Sequence, residues 1–373
     1  MKNTNNSARS RIHSLDMARG IIVVFSVFLS SLPYGSYDFA THASWYGLTL
    51  VDFILPCFIT VFGVGMAIAY QKGVKWKRFI SRTIKLILFG LLFNIIVAWS
   101  FDLSTLRFTG VLQMYALLGI GTVLITRFIK RPITVSLVGL LIFSIYGAIL
   151  LYMGQTCEGS LPQPGCNPSW LVDPVVFGES HIYSLGERGF DPEGIPAIFS
   201  ALGNVLLGFA AGRIIILYKE KGAGWRLLLH GVLLLALAFL VEAFLPFGKR
   251  LWTPSFGLVT AGATSLLLAL LHIIFDRKYT SPFVQPVSNS LIWILDSFGR
   301  NAFLIYFGKY IIFSLLRNLS INGDEKPITL YQVIFSWLEQ TSSNPALIYA
   351  TLMLGFWTII AIALHKVKWY FRV

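Results

Sequence analysis

Apolar stretches of about 18 to 24 residues recur from one end of this 373-residue chain to the other. At a rise of about 1.5 Å per residue, each is long enough to cross a hydrocarbon core of about 30 Å as a helix. The pattern predicts an all-α, polytopic integral membrane bundle of about ten transmembrane helices, forming one domain over residues 1–373. The spans are expected near 15–32, 47–70, 80–100, 110–127, 132–153, 195–217, 226–246, 254–275, 296–317 and 345–366. With 55% hydrophobic and 13% charged residues, the chain has little polar surface with which to coat a soluble fold.

The net charge of +13 raises the question of nucleic acid, but its distribution answers it. With the N-terminus placed in the cytoplasm, 19 Lys and Arg fall on the inner side and six outside: Arg107, Arg188, Lys249, Arg250, Arg317 and Lys326. That asymmetry is what the positive-inside rule expects, so the basic excess reports topology and attraction to membrane lipid rather than a nucleic-acid partner. Both termini are then cytoplasmic. The first span follows a basic, polar leader without a small-residue cleavage site and reads as a retained helix.

Two outer segments, 154–194 and 318–344, interrupt the helical pattern. The first carries Cys157 and Cys166, near enough to close a small loop on the oxidising side of a membrane. A disulfide there adds about 2 to 3 kcal/mol in the chain-entropy model; two free thiols are the alternative. Cys57, inside the second span, reads as packing, and no residues have zinc-ligand spacing.

Chemistry is sought among polar residues at or within the spans, because charge placed there is costly and needs a partner or a ligand. Arg19, Lys85, Arg213, Arg300 and Lys309 are such residues; Asp16 and Arg19 stand at i, i+3 on one helix face. Residues 299–310 are polar for a span and predict an interior-facing stripe. His42 lies just outside the first span, with Trp45 and Tyr46 close by and Asp52 ten residues on. A histidine and a carboxylate at a membrane boundary can form a proton-transfer centre. His13, His230, His272 and His365 read as interfacial or packing residues.

The run Arg11-Ile-His-Ser-Leu-Asp-Met-Ala-Arg-Gly20 resembles the Arg-x-x-Ser-x-Asp-x-x-Arg-Gly opening of the heparan-α-glucosaminide N-acetyltransferase family, within a wider group of transmembrane acyltransferases. Further matches follow in order at His42–Thr49, Asp52–Pro56, Asp102–Gln113, Phe190–Gly194, Gly248–Ser255 and Gly299–Ala302. The resemblance implies transfer of an acetyl group from cytoplasmic acetyl-CoA, the donor co-substrate, to an amino sugar or envelope glycan outside. It implies no metal, and a multi-pass protein of a bacterial inner membrane; a homodimer is compatible with it.

In that resemblance His42 matches the essential histidine, as general base or as acyl acceptor, with Asp52 and Ser31 beside it. Arg11, Arg19, Arg82, Lys85 and Gln113 are expected toward the acyl-CoA, and Asp191, Glu193, His181, Lys249, Trp252 and Asn301 toward the acceptor. Plainer readings stand beside these: Asp52 as a helix cap, 191–194 as the start of the sixth span, Trp252 as a membrane anchor. The chain departs from the family pattern where Ser30 and Ser31 occupy the stretch of a usual asparagine, at Met114 after Leu112-Gln113, and at Pro174. An amino-sugar or small-solute transporter is the alternative function, although residues 15–150 and 195–366 show no repeat of the kind many transporters carry.

Overall fold

The computed structural model describes residues 12–183, 189–219, 222–276, 289–321 and 327–371. It is almost entirely helical. The helices are α1 (His13–Ser31), α2 (Ile54–Ala69, led by a 3₁₀ turn at Leu50–Phe53), α3 (Trp76–Ala98), α4 (Val111–Thr126), α5 (Pro132–Gly154), α6 (Pro168–Phe177) and α7 (Ile195–Tyr218). There follow α8 (Ala223–Glu242), α9 (Pro254–Phe275), α10 (Asn289–Arg300), α11 (Ala302–Asn318), α12 (Leu330–Thr341) and α13 (Pro345–Lys366). Among the described residues, eight helices are long and apolar enough to span a membrane: α1, α2 with its leading turn, α3, α5, α7, α8, α9 and α13.

The expected fourth and ninth spans are α4 and α11, of 16 and 17 residues. At about 1.5 Å per residue they are about 24 and 26 Å long, short of a full hydrocarbon core. The ninth differs from expectation in register as well. A single helix over 296–317 is replaced by α10 and α11, parted at Asn301, whose φ of −104° and ψ of 16° leave the helical region. Gly299 permits the close approach at that break, since a Cβ there would lie 2.1 Å from the Asp16 carbonyl oxygen of α1. The outer segments are not plain loops either: the first contains α6, and the second pairs β1 (Ser320–Ile321) with β2 (Ile328–Thr329) before α12.

Several helices begin where the sequence dictates. Proline opens α5, α7, α9 and α13, where its missing N–H is no loss and its fixed φ suits the first turn. The Asn344 side chain also caps α13 by accepting from Leu347 N–H.

At the centre α2 crosses α7 with backbones almost in contact. A Cβ on Gly63 would lie 2.0 Å from the Val205 oxygen, and one on Gly208 1.9 Å from the Thr60 oxygen. Small residues draw helices together in this way where lipid removes any hydrophobic drive for association. Buried Asn204 of α7 ties the same region to α9, donating to Gly257 O at 2.9 Å and accepting from the Trp252 indole at 2.8 Å.

The alternation of helices sorts the connections to two ends. At one end the backbone N–H of His13, opening α1, donates to Asp276, which follows α9. The opposite end gathers segments 32–49, 99–110, 155–183, 189–194 and 243–253.

Candidate active site

The centre of that second end is the 3₁₀ turn leading α2. Thr49 and Asp52 form a reciprocal capping box there, so the Asp52 carboxylate is fixed by local helix-start chemistry. Its Oδ2 accepts from Thr49 N–H at 3.1 Å, Thr49 Oγ1 at 2.9 Å and Ala43 N–H at 3.3 Å. Oδ1 meets His42 Nδ1 at 2.7 Å and Lys249 Nζ at 3.5 Å. Asp52 is fully buried, whereas the His42 side chain keeps 46% of its surface exposed. A buried acceptor-only carboxylate against Nδ1 favours the tautomer with its proton there, which leaves Nε2 with a lone pair.

Lys249, from the α8–α9 connection, completes the group, with Nζ 3.0 Å and 3.3 Å from the two ring nitrogens of His42. Burial first, then the charges of Lys249 and Arg250, hold the imidazole below its ordinary 6.5, although the bond to Asp52 pulls the other way. Burial likewise draws Lys249 below 10.5, opposed by Asp52 and Glu193.

The disulfide loop supports this group from the side. Cys157 and Cys166 are bonded, as their spacing predicted. Within the loop they close, the Pro162 carbonyl accepts both the Trp45 indole N–H at 2.9 Å and the Tyr46 hydroxyl at 2.6 Å. Trp45 also meets Phe190 edge to face at 5.0 Å. Three and four residues from His42, the chain is therefore pinned to a cross-linked loop.

A second polar cluster flanks the first. Asp191 is fully buried and takes Arg107 Nη2 at 2.6 Å and Thr109 Oγ1 at 2.5 Å; Glu193 takes the same Arg107 nitrogen at 2.5 Å. The guanidinium lies 4.8 Å from the Tyr183 ring centre. Behind it, Asp173 accepts from Ser169 Oγ and from Ile195 N–H at the start of α7, and burial pushes its carboxyl up to about 6.

The residues expected to act divide accordingly. His42, Asp52 and Lys249 come together, and Asp191 and Glu193 stand beside them around Arg107. Ser31 turns its hydroxyl to Val27 O, and among the described residues no hydrogen bond joins it to His42. His181 donates from Nδ1 to Leu106 O at 2.8 Å and stacks on Phe108 at 4.2 Å, so it holds the segment that carries Arg107. Trp252 is 1% exposed; with its indole committed to Asn204, it packs the bundle rather than lining the open side of the site.

Asn301, expected toward the acceptor, lies apart from the His42 group. It sits at the α10–α11 break with its amide donating to Ser297 O, beside the first turns of α1 and at the end away from His42. Of the residues expected toward the acyl-CoA, Arg19, Arg82 and Lys85 lie on that half of the bundle. Arg19 pairs with Asp16 at 3.7 Å, Arg82 stands over the Phe62 ring at 5.4 Å, and Lys85 is exposed on α3. Gln113 does not join them: it stands in the first turn of α4, next to the 99–110 connection at the His42 end, against Gly90 of α3. Arg11 lies outside the described residues.

Sequence reasoning passed over Arg107, Thr49, Pro162 and Tyr46 as members of the site. Arg107 was detectable as the one cation between Asp102 and Gln113, near two acids that lacked a partner. Pro162 contributes a backbone carbonyl, for which no side-chain pattern exists. The polar stripe expected over 299–310 is real at Lys309, which is buried and donates to Ser26 O at 2.8 Å and Ser30 Oγ at 2.7 Å on α1.

Comparison with known proteins places this arrangement. The chain is similar to the heparan-alpha-glucosaminide N-acetyltransferase of Mus musculus, 23% identical over 445 residues that cover 99% of this chain and 62% of that protein. It is similar also to the protein of the same name from Homo sapiens, 27% identical over 368 residues covering 80% of this chain and 54% of the relative. The chain thus spans somewhat more than half the length of these relatives. The family model described as heparan-alpha-glucosaminide N-acetyltransferase, catalytic, matches residues 11–247, which include α1 through α8, His42, Asp52, Arg107, Asp191 and Glu193. The chain belongs to the heparan-alpha-glucosaminide N-acetyltransferase catalytic family.

Proposed function

We propose that this protein is a membrane-bound acetyltransferase that carries an acetyl group from acetyl-CoA to the amine of an amino sugar or envelope glycan. The observation that carries the reading is the His42–Asp52 pair at 2.7 Å, in a chain whose relatives are named as N-acetyltransferases. Asp52 holds the Nδ1 proton, and Nε2 withdraws a proton from the acceptor amine as its nitrogen attacks the thioester carbon. The C–N bond forms, the C–S bond breaks, and the thiolate leaves to be protonated. Lys249 keeps resting His42 unprotonated and offers positive charge to the oxyanion of the tetrahedral intermediate.

Glu193 and Asp191 supply negative charge beside the acceptor, balanced by Arg107. Both amide atoms of Gln113, at the His42 end of α4, are buried and without a hydrogen-bond partner, and Arg82 Nε, toward the other end of α3, is in the same condition. A ligand bearing amides and phosphates, as acetyl-CoA does, fits such groups. The 19 to 6 charge asymmetry and the disulfide, which suits an oxidising compartment, support the sidedness of this reading. In this reading His42 is on the outer face and the donor enters from the cytoplasm of a bacterial inner membrane. Ser31, within the last turn of α1, is the one proposed catalytic residue that lies outside the hydrogen-bonded group.

The test is acetylation of glucosamine by the purified protein in proteoliposomes supplied with acetyl-CoA. His42→Ala is expected to lower turnover by about 10² or more with folding retained. Unchanged turnover in that variant, or uptake of unmodified glucosamine without acetyl product, refutes the reading.

A further inference from the structure

At the end of the bundle away from His42, a cavity of about 350 Å³ is lined by Trp293, Arg300, His365, Lys366, Lys368 and Tyr370. The location follows from α13: its Asn344 cap accepts from Tyr37 near the His42 end, and the helix runs from there to Lys366. Three of the lining residues are full cations. Arg300 is paired with Asp296 at 2.6 Å and donates to the Tyr370 hydroxyl at 3.1 Å. Among the described residues, Lys366 and Lys368 have no carboxylate at ion-pairing distance, and Arg300 Nε is buried without a hydrogen-bond partner.

The backbone adds an independent observation. Lys368 follows the end of α13 with a φ of +56°, the left-handed position that glycine usually fills after a helix. A lysine there adopts a conformation against its own preference, which sets a cation at the rim. The tail beyond it is fixed: Trp369 N–H donates to Leu364 O at 3.0 Å, and the Phe371 ring packs on Phe89 and Phe303 at 6.0 Å and 5.7 Å. Two aromatic walls, Trp293 and Tyr370, thus face an excess of positive charge in a cavity of ligand size.

We infer that this cavity binds a phosphate-bearing ligand, recognised by Arg300, Lys366 and Lys368 between the rings of Trp293 and Tyr370. Two sources share that chemistry, the phosphorylated nucleotide end of an acyl-CoA donor and the headgroup of an anionic phospholipid. The nucleotide source rests on the acetyltransferase reading; the lipid source does not.

The test uses the full-length protein, wild type and two double variants. Lys366→Gln/Lys368→Gln removes charge from the cavity, and Lys130→Gln/Arg131→Gln removes as much at the α4–α5 connection of the same end. The readouts are binding of adenosine 3′,5′-bisphosphate in detergent and the preference for phosphatidylglycerol over phosphatidylcholine nanodiscs, measured as a shift in thermal unfolding. One of the two is expected to weaken by at least about tenfold in the cavity pair and to hold in the control pair. Loss of nucleotide binding assigns the donor, and loss of lipid preference assigns the headgroup. Equal losses in both pairs, or none in the cavity pair, overturn the site. Acetyl transfer by wild type is scored separately: transfer with an unresponsive cavity overturns the site alone, and a responsive cavity without transfer overturns the enzyme reading alone.

Discussion

Removing the charge of Lys249 should move the pH dependence of catalysis in a direction the structure dictates. Lys249 Nζ lies 3.0 Å and 3.3 Å from the ring nitrogens of His42, where it opposes protonation of the imidazole. Because the His42 side chain is 46% exposed, the screening of bulk water gives the smallest reasonable effect. Coulomb's law at that separation and a dielectric of about 80 gives about 1.3 kcal/mol, or about one pKa unit. In Lys249→Gln the protonated imidazole loses its neighbouring cation, so its pKa rises. If neutral His42 is the base, the acid limb of kcat/KM, which in wild type falls below the ordinary 6.5, moves upward by about one unit or more. Initial rates of glucosamine acetylation between about pH 5 and pH 8 measure this, and the limb's position is independent of any drop in plateau rate. A limb that stays in place, or moves to lower pH, refutes the role given to both residues.

Four further outcomes are expected. Asp52→Asn removes the acceptor for the Nδ1 proton and should lower kcat by about 10² or more; it also weakens the start of α2 by about 1 kcal/mol, seen as a modest loss in thermal stability. Cys157→Ser with Cys166→Ser frees the loop whose Pro162 carbonyl holds Trp45 and Tyr46, so acceptor KM should rise while donor KM holds; equal changes in both argue against this link. Gly208→Val forces side-chain atoms onto the Thr60 carbonyl and should cost about 2 to 3 kcal/mol of stability, read as a lowered unfolding temperature in detergent. Asn204→Leu strands the Trp252 indole N–H and should cost about 1 to 3 kcal/mol, with no shift in the pH profile.

The spans were legible because lipid leaves the chain few options: a long apolar run must close its own backbone hydrogen bonds, and the helix is the way a single segment does so. The break at Asn301 was less so, since residues 296–317 are apolar enough to read as continuous and the interruption arises from packing of Gly299 on α1. His42, Asp52 and Lys249 lie 207 residues apart at the extremes, and their meeting depends on α2 and α9 being neighbours, which no local pattern encodes. Ordered motif resemblance carried that information instead. At Asn301 the shared motif falls on a helix junction, apart from the His42 group. Arg107 shows the complementary case: it neutralises Asp191 and Glu193 across 84 and 86 residues of sequence, a pairing that only the fold creates.

The near-contact of α2 with α7 bears on how two substrates could be served from opposite faces. Carbonyl oxygens seated on Gly63 and Gly208 leave these helices no clearance to slide or roll past one another. Solute carriers that expose a site alternately to each face depend on such relative motion of packed elements. Here the turn bearing Asp52 is continuous with α2, so the His42–Asp52 pair is fastened to this closely packed helix pair. Under the proposed acetyl transfer the traffic would be chemical: a two-carbon fragment would change partner in place, while each of the larger molecules withdrew to the face from which it arrived.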